Sequence, residues 1–245
     1  MSYAEYTPHP ELSRYIQCFW HYKSDDSSDN PSVIIPDNCS DILIDVSQQG
    51  KISSLFTGTM TKPILSSRKQ LIGIRFKPGY AYSFFGIPMK EFTDLIVELD
   101  DFWKDTDRLE QGINSHDDIF QRINYLQNML ISRQYKFLPI HAGLSNALQI
   151  ISYNTGFNSV EKLGSETGIS RQHLRRIFLD YVGINPVQYM RISRIRKTIK
   201  QIRNEKKHPN MSSIAQDLGY YDQSHMIMDF RKFTGSTPNK FFSKK

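Results

Sequence analysis

Four residues with forked hydrogen-bonding heads, Arg171, Gln172, Arg175 and Arg176, fall within six positions of the chain. From the major groove of a DNA duplex, an Arg can grip O6 and N7 of guanine together, and a Gln can grip N6 and N7 of adenine. Placed at helical intervals, the four lie with Leu179 opposite a stripe of Leu174, Ile177, Phe178 and Tyr181. The spacing predicts a helix over 171–181 with one buried side and one side suited to base edges. For a single helix, an ordinary solvated basic face is the plainer alternative.

The pattern occurs twice, which weakens that alternative. A shift of 52 positions aligns His173 with His225, Leu174 with Met226, Phe178 with Phe230, Gly183 with Gly235 and Pro186 with Pro238. Just upstream the shift is 51, pairing Leu163 with Ile214, Gly164 with Ala215 and Gly168 with Gly219, so the second copy holds one extra residue in its turn. Each copy has the grammar of two helices joined by a tight turn. Gly168 and Gly219 suit a turn that needs positive φ, and Ser170 and Asp222 are the expected N-caps of the second helices. The second copy buries Met226, Phe230 and Phe233 and presents Gln223, Ser224, Ile227, Met228 and Arg231. It has fewer polar heads, so direct base reading is expected mainly from the first copy, with apolar contact, for example to a thymine methyl, from the second.

Between the copies, PVQYMRISRIRKTIKQIRNEKK (186–207) predicts a long helix opened by Pro186. Ile192, Ile195, Ile199 and Ile202 form its apolar stripe, and Arg191, Arg194, Arg196, Lys197, Lys200 and Arg203 coat the remainder. Arg194 and Lys197 are expected to neutralise phosphates. About 20 residues at ~1.5 Å each span ~30 Å, close to the ~34 Å between successive turns of one groove.

The rest of the chain must position these helices. Its 245 residues suit one or two domains. The formal net charge of +6 divides unevenly, with −4 over residues 1–144 and +10 over 145–245, which places a nucleic-acid or anionic-membrane surface on the second part. No apolar run approaches the length of a membrane span, and the N-terminus has no signal-peptide pattern, so a cytoplasmic protein without membrane association is expected. The first hundred residues predict short strands at SVIIP (32–36), DILIDV (41–46), ISSLFTG (52–58) and QLIGIRFKPG (70–79), suiting a small sandwich or barrel. SDDSSDNP (24–31) reads as a mobile loop. Ile119, Ile123, Leu126 and Leu130, beside Phe120 and Met129, predict an amphipathic helix that packs on the β part or pairs with a second copy. QYKFLPIHAG (134–143) is the expected linker. The architecture is therefore α+β: a β-rich domain over 1–138 ending in that helix, then an all-α domain over 144–245 with two helix-turn-helix motifs.

Other chemistry is sparse. Two cysteines, Cys18 and Cys39, exclude a disulfide framework and an all-Cys zinc site. With His9 and His21 they supply ligand types for a metal, but CFWH lacks a paired second motif, and no metal or cofactor is expected. Asp37, Asp41, Asp45 and Arg75 could form a carboxylate pair with an anion anchor, and turn acids with a strand-edge Arg explain them equally well. An aromatic set of Phe19, Trp20, Tyr22, Phe76, Tyr80, Tyr82, Phe84 and Phe85 is either ordinary core or, with Arg75, the lining of an effector pocket. Trp20 and Arg75 are the candidate effector contacts. No catalytic constellation stands out, and no enzyme is expected.

SVEKLGSETGISRQHLRRIFLDYVGINPVQYMRISRI and SSIAQDLGYYDQSHMIMDFRKFTGSTPNKFF, both containing Gly-x-x-Pro, resemble the paired signature of the AraC/XylS family of bacterial transcription regulators. The resemblance covers residues 145–242. It implies a seven-helix DNA-binding domain beginning at SNALQIISYN (145–154), with base-reading positions at Arg171, Gln172, Arg175 and Arg176, then Gln223, Ser224 and Met228. Many members carry Arg where this chain has Met228. IQCFWHY, IIPDNCSDILIDV and LIGIRFKPGYAYSFFGIP resemble a cupin-like sensory domain found ahead of such motifs. The combined expectation is a sequence-specific regulator of double-stranded DNA, with RNA polymerase, a small-molecule effector and a second copy of the chain as further candidate partners. The competing classes are a non-specific architectural DNA binder and a small-molecule binding protein or enzyme with an accessory basic half.

Overall fold

The computed structural model describes residues 2–24, 31–48, 51–133, 137–154, 159–205 and 209–243. Most of the predicted 24–31 loop and the first three residues of the 134–143 linker lie outside the described residues.

The N-terminal part is built on an antiparallel sheet whose order is β1 (Ser2–Tyr6), β2 (Ile16–Lys23), β7 (Gln70–Phe76), β4 (Asp41–Gln48), β5 (Lys51–Thr57) and β8 (Ile96–Glu98). A separate pair joins β3 (Ser32–Ile34) to β6 (Ile64–Ser66). Six strands thus share one sheet, with a two-stranded pair beside it, where sequence spacing suggested a small sandwich or barrel. The sequence patterns located β3, β4, β5 and β7. The short or polar β1, β6 and β8 gave no such signal, and β2 was visible only as a motif.

Alternation along the central strands divides the core. Ile42, Ile44, Ile72, Ile74 and Phe76 join Phe19 and Phe56 on one face. Leu43, Leu55 and Leu71 join Cys18 and Trp20 on the other. Trp20 stands opposite Gly73 in the β2–β7 register, and its indole occupies the space a side chain there would need: a Cβ on Gly73 would lie 1.9 Å from the ring. The first face is covered by helices. These are α1 (Tyr80–Phe85), a 3₁₀ turn over Met89–Phe92, α2 (Thr106–Asn114) and α3 (Ile119–Ile131). In α3, Ile123, Leu126, Met129 and Leu130 are buried in this β-domain core, so the helix packs on its own domain.

Among the described residues seven helices follow: α4 (Ala142–Tyr153), α5 (Val160–Thr167), α6 (Arg171–Val182), α7 (Pro186–Asn204), α8 (Met211–Asp217), α9 (Gln223–Thr234) and α10 (Pro238–Phe242). Their apolar faces form a second core that includes Leu144, Leu163, Leu174, Phe178, Ile195, Ile214 and Phe230. Caps set the boundaries. Ser170 Oγ accepts from His173 N to start α6, and Asp222 Oδ1 accepts from His225 N at 2.7 Å to start α9. A capping box between Asn185 and Gln188 opens α7, with Pro186 in the first turn.

The two parts touch along α6 and α7. Thr59 Oγ1 donates to Val182 O at 2.6 Å, and Thr93 Oγ1 to Gly183 O at 2.5 Å, so the β domain holds the C-terminal end of α6. The rings of Tyr82 and Tyr181 pack 4.3 Å apart. On α7, Tyr189 O and Ser193 Oγ both accept from Asn38 Nδ2, at 3.0 and 2.8 Å, and Arg196 Nη1 donates to Asp37 O at 3.0 Å.

Candidate nucleic-acid interface

In each helix-turn-helix, the first helix and the turn fix the second. Gly168, at φ +68°, ends α5, and its amide returns to Gly164 O. A Cβ on Gly164 would meet Ile169 O at 2.9 Å, so that position must be small for the turn to close. In the second copy, Gly219 takes φ +70° and two residues separate it from the cap Asp222, against one residue between Gly168 and Ser170. This is the extra turn residue seen in the repeat.

On α6, Leu174, Ile177 and Phe178 are buried while Arg171, Gln172, Arg175 and Arg176 are exposed. Tyr181, expected in the core, is half-buried at its edge, with its ring against Tyr82 of the β domain. Gln172, Arg175, Arg176 and Leu179 line a cleft of about 520 Å³, joined by Asp180 and by Lys90 of the 3₁₀ turn. Arg171 differs from its neighbours, since its Nη1 lies 3.1 Å from Glu161 Oε1 on the preceding helix. Among the described residues neither Arg175 nor Arg176 is held in an ion pair, so both forks are available.

On α9, Met226, Phe230 and Phe233 are buried, and Gln223, Ser224, Met228 and Arg231 are exposed. Gln223 Oε1 accepts from Ser212 Oγ at 2.8 Å, which orients its carboxamide from the preceding helix. Met228 is 61% exposed, an unusual setting for a large apolar side chain. Tyr221 is 93% exposed immediately before the α9 cap. Its place in the turn ahead of α9 was the available clue to it.

Two expected phosphate contacts are corrected. Arg194 is buried: Nη1 donates to Gly219 O at 3.2 Å, Nη2 lies 3.5 Å from Asp229 Oδ2, and the guanidinium stacks 4.1 Å from the Tyr220 ring centroid. It joins α7 to the second motif, and its guanidinium is spent on partners within the chain. Lys197 places Nζ on Ile151 O, Ser152 O and Asn154 O at 3.0–3.2 Å, capping the open carbonyls at the end of α4. Its three donors are consumed there, and burial lowers its pKa. Asp229 is fully buried on α9 and also pairs with Arg191. An acid within the apolar stripe of α9 was the signal that these arginines had an internal partner.

In the β domain, Trp20 and Arg75 are brought together around an acid. Trp20 Nε1 donates to Asp41 Oδ1 at 2.8 Å, and Arg75 Nε reaches the same oxygen at 3.1 Å. Arg75 Nη2 lies 3.3 Å from Asp37 Oδ2. Both ends of the Arg75 fork are therefore occupied by the chain's own carboxylates. Asp45 stands apart, paired with Arg68 at 2.6 Å. The aromatic set does not form one lining, because Phe19, Phe76, Phe84 and Phe85 pack with the helix-covered core, whereas Trp20 and Tyr22 pack on the opposite face. Cys39 Sγ lies 3.3 Å from Gln17 Oε1, and burial raises both thiols, Cys18 to about 12. Among the described residues no group of three or more His, Cys, Asp and Glu side chains is placed to hold a metal.

Residues 163–244 match the profile of a family described as a helix-turn-helix domain, and residues 4–98 match one described as a domain of unknown function. A curated relative, the probable transcription factor PqrA of Proteus vulgaris, is 29% identical over 82 residues, covering 34% of this chain and 66% of its own length. The C-terminal domain of AraT, a response regulator from Geobacillus stearothermophilus, superposes with a TM-score of 0.41 at 20% identity over 43% of this chain and 88% of its own. ToxT from Vibrio cholerae aligns over 92% of this chain and 97% of its own with a TM-score of 0.48 and 11% identity. With the doubled motif, its glycine turns and caps, and the matched profile, residues 163–244 of this chain are a helix-turn-helix domain, set behind an antiparallel β domain.

Proposed function

We propose that the chain is a sequence-specific DNA-binding transcription regulator, in which α6 and α9 enter two successive major-groove segments of one duplex. The observation that carries this reading is the α6 face, where Gln172, Arg175 and Arg176 are exposed together on a helix whose opposite side is locked into the core. Both helices are tied to α7, since α6 leads into it across the Gly183 turn and α9 is fastened to it by Asp229 on Arg191 and Arg194. Arg175 and Arg176 supply bidentate heads for guanine, and Gln172 one for adenine. Gln223 and Ser224 read fewer atoms at the second site, where Met228 offers apolar contact. Arg231 and the exposed Lys200 and Arg203 serve the backbone.

The β domain is the sensory and association module in this reading. A small-molecule effector or a second copy acts there by shifting the population of DNA-competent arrangements, and RNA polymerase is the partner of the bound regulator. The site has no catalytic role, and the protein works in the cytoplasm. No helix among the described residues is long and apolar enough to cross a membrane.

Selection of bound duplexes from a random pool by the full-length protein tests the proposal. Two conserved half-sites about one helical turn apart are expected. Retention of DNA with no enriched sequence would favour an architectural binder, and no retention would return the basic half to an accessory role.

A further inference from the structure

The cleft beside α6 is not made by the helix-turn-helix alone. It runs from the reading face at Gln172 and Arg175 toward the domain junction, where its walls are Tyr82, His141, His173 and Tyr181. Lys90, Arg176 and Asp180 line both stretches. Lys90 belongs to the β domain. Its side chain is 47% exposed, and its Nζ lies 2.9 Å from Asp180 Oδ1, one helical turn beyond Arg176 on α6. That hydrogen bond raises the Lys90 pKa.

The ammonium is also well placed. The 3₁₀ turn that bears Lys90 abuts the end of α6, with Met89 O facing Gly183 and Thr93 Oγ1 bonded to Gly183 O at 2.5 Å. Three basic side chains, Lys90, Arg175 and Arg176, thus line an open trough with one acid, Asp180. Such a trough suits a polyanion passing along it better than a small molecule, which would seek enclosure.

We propose that the β domain is part of the DNA interface: Lys90 donates to a backbone phosphate flanking the groove that α6 enters, exchanging the Asp180 carboxylate for the phosphate. The proposal rests on the reading of α6 as a recognition helix. It gives the β domain a direct route to DNA affinity, because undocking it from α6 withdraws one phosphate contact while leaving both helix-turn-helix motifs intact.

The salt dependence of binding tests it, measured with full-length protein on one duplex recovered by selection and on one unrelated duplex. One phosphate contact is worth about 0.9 in the slope of log affinity against log salt. Lys90→Gln is expected to lower the slope by about that amount on both duplexes, so that its loss of affinity between 50 and 200 mM salt is smaller by about 3.5-fold. Lys90→Arg keeps the slope. Asp180→Asn tightens binding, and more so with Lys90 present than in the Lys90→Gln background. An unchanged slope in Lys90→Gln overturns the proposal, as does equal weakening by Lys90→Gln and Lys90→Arg with the slope unchanged, which would make Lys90 a domain tether only. Wild-type protein that binds both duplexes equally would instead contradict sequence-specific regulation, and the slope comparison would still decide the role of Lys90.

Discussion

Arg194 of α7 lies against the ring of Tyr220, 4.1 Å from its centroid, while its guanidinium reaches back to the fully buried Asp229 of α9. A linker-helix cation that sequence assigns to DNA instead fastens the second helix-turn-helix to the linker. Removing one charge from a buried pair leaves the other without compensation, at a typical cost of about 3 to 5 kcal/mol. Asp229→Asn is therefore expected to destabilise the C-terminal domain by about 3 kcal/mol or more. Urea denaturation followed by far-UV circular dichroism measures this, and a midpoint within experimental scatter of wild type would refute the assignment.

Replacement of Arg176 by Ala should act at one base pair. Its guanidinium is exposed and free of ion pairs among the described residues, so its loss is expected to cost about 1 to 3 kcal/mol at that position and to relax sequence preference there. Arg171→Ala should cost less, since Arg171 already spends part of its fork on Glu161. Binding titrations against a set of single-base variants of the selected duplex read both effects. Uniform weakening across all variants by Arg176→Ala would place it on the backbone.

The contrast between these arginines shows what the chain made legible. The helices α6 and α9, their caps and their turn glycines follow from local constraints: a 3.6-residue apolar stripe, a side chain able to accept from an orphan amide, and a residue tolerant of positive φ. The exposure of Arg176 follows from its own helix alone. Arg194 and Lys197 are not, because their partners lie 25 to 46 positions away, at Gly219, Asp229 and Ile151. The aromatic set fails for a related reason: consecutive residues of one strand point oppositely, so Phe19 and Trp20 cannot share a lining. Lys90 was invisible beside α6, since only the docking of the two domains brings it to Asp180.

Asp41 should make the β domain less stable as pH rises. It is buried against Arg75 and Trp20, and burial pushes its carboxyl up to about 6, despite Arg75 and the Trp20 hydrogen bond, with the nearby Asp37 charge adding to the rise. The folded value lies above the 3.8 of the unfolded chain, so the native state holds the proton more tightly between these values. The associated stability is full below pH ~4 and lost as pH climbs through ~6, roughly 3 kcal/mol in all. The difference in stability between wild type and Asp41→Asn, which cannot titrate, should therefore move against wild type from pH 4 to pH 7. A difference that is flat, or that moves in favour of wild type, would mean the Arg75 attraction outweighs desolvation.

Gly183 tests how tightly the β domain is seated on α6. It takes φ +92°, and a Cβ there would lie 2.9 Å from Met89 O and 3.1 Å from Thr93 Oγ1, so alanine meets the other domain's backbone as well as an unfavourable conformation. Gly168 separates the two costs, since it takes φ +68° but a Cβ there would find nothing within 4 Å. Gly168→Ala should pay backbone strain alone, about 1 to 2 kcal/mol. Gly183→Ala should add an overpacking cost of about 1 to 3 kcal/mol, relieved by parting the domains. Hydrogen exchange reads that relief: amides over 89–94 and 182–185 should exchange faster in Gly183→Ala and stay unchanged in Gly168→Ala. Equal protection in both variants would mean that the 3₁₀ turn does not bear on α6 in solution, and the path from the β domain to the reading face would be lost with it.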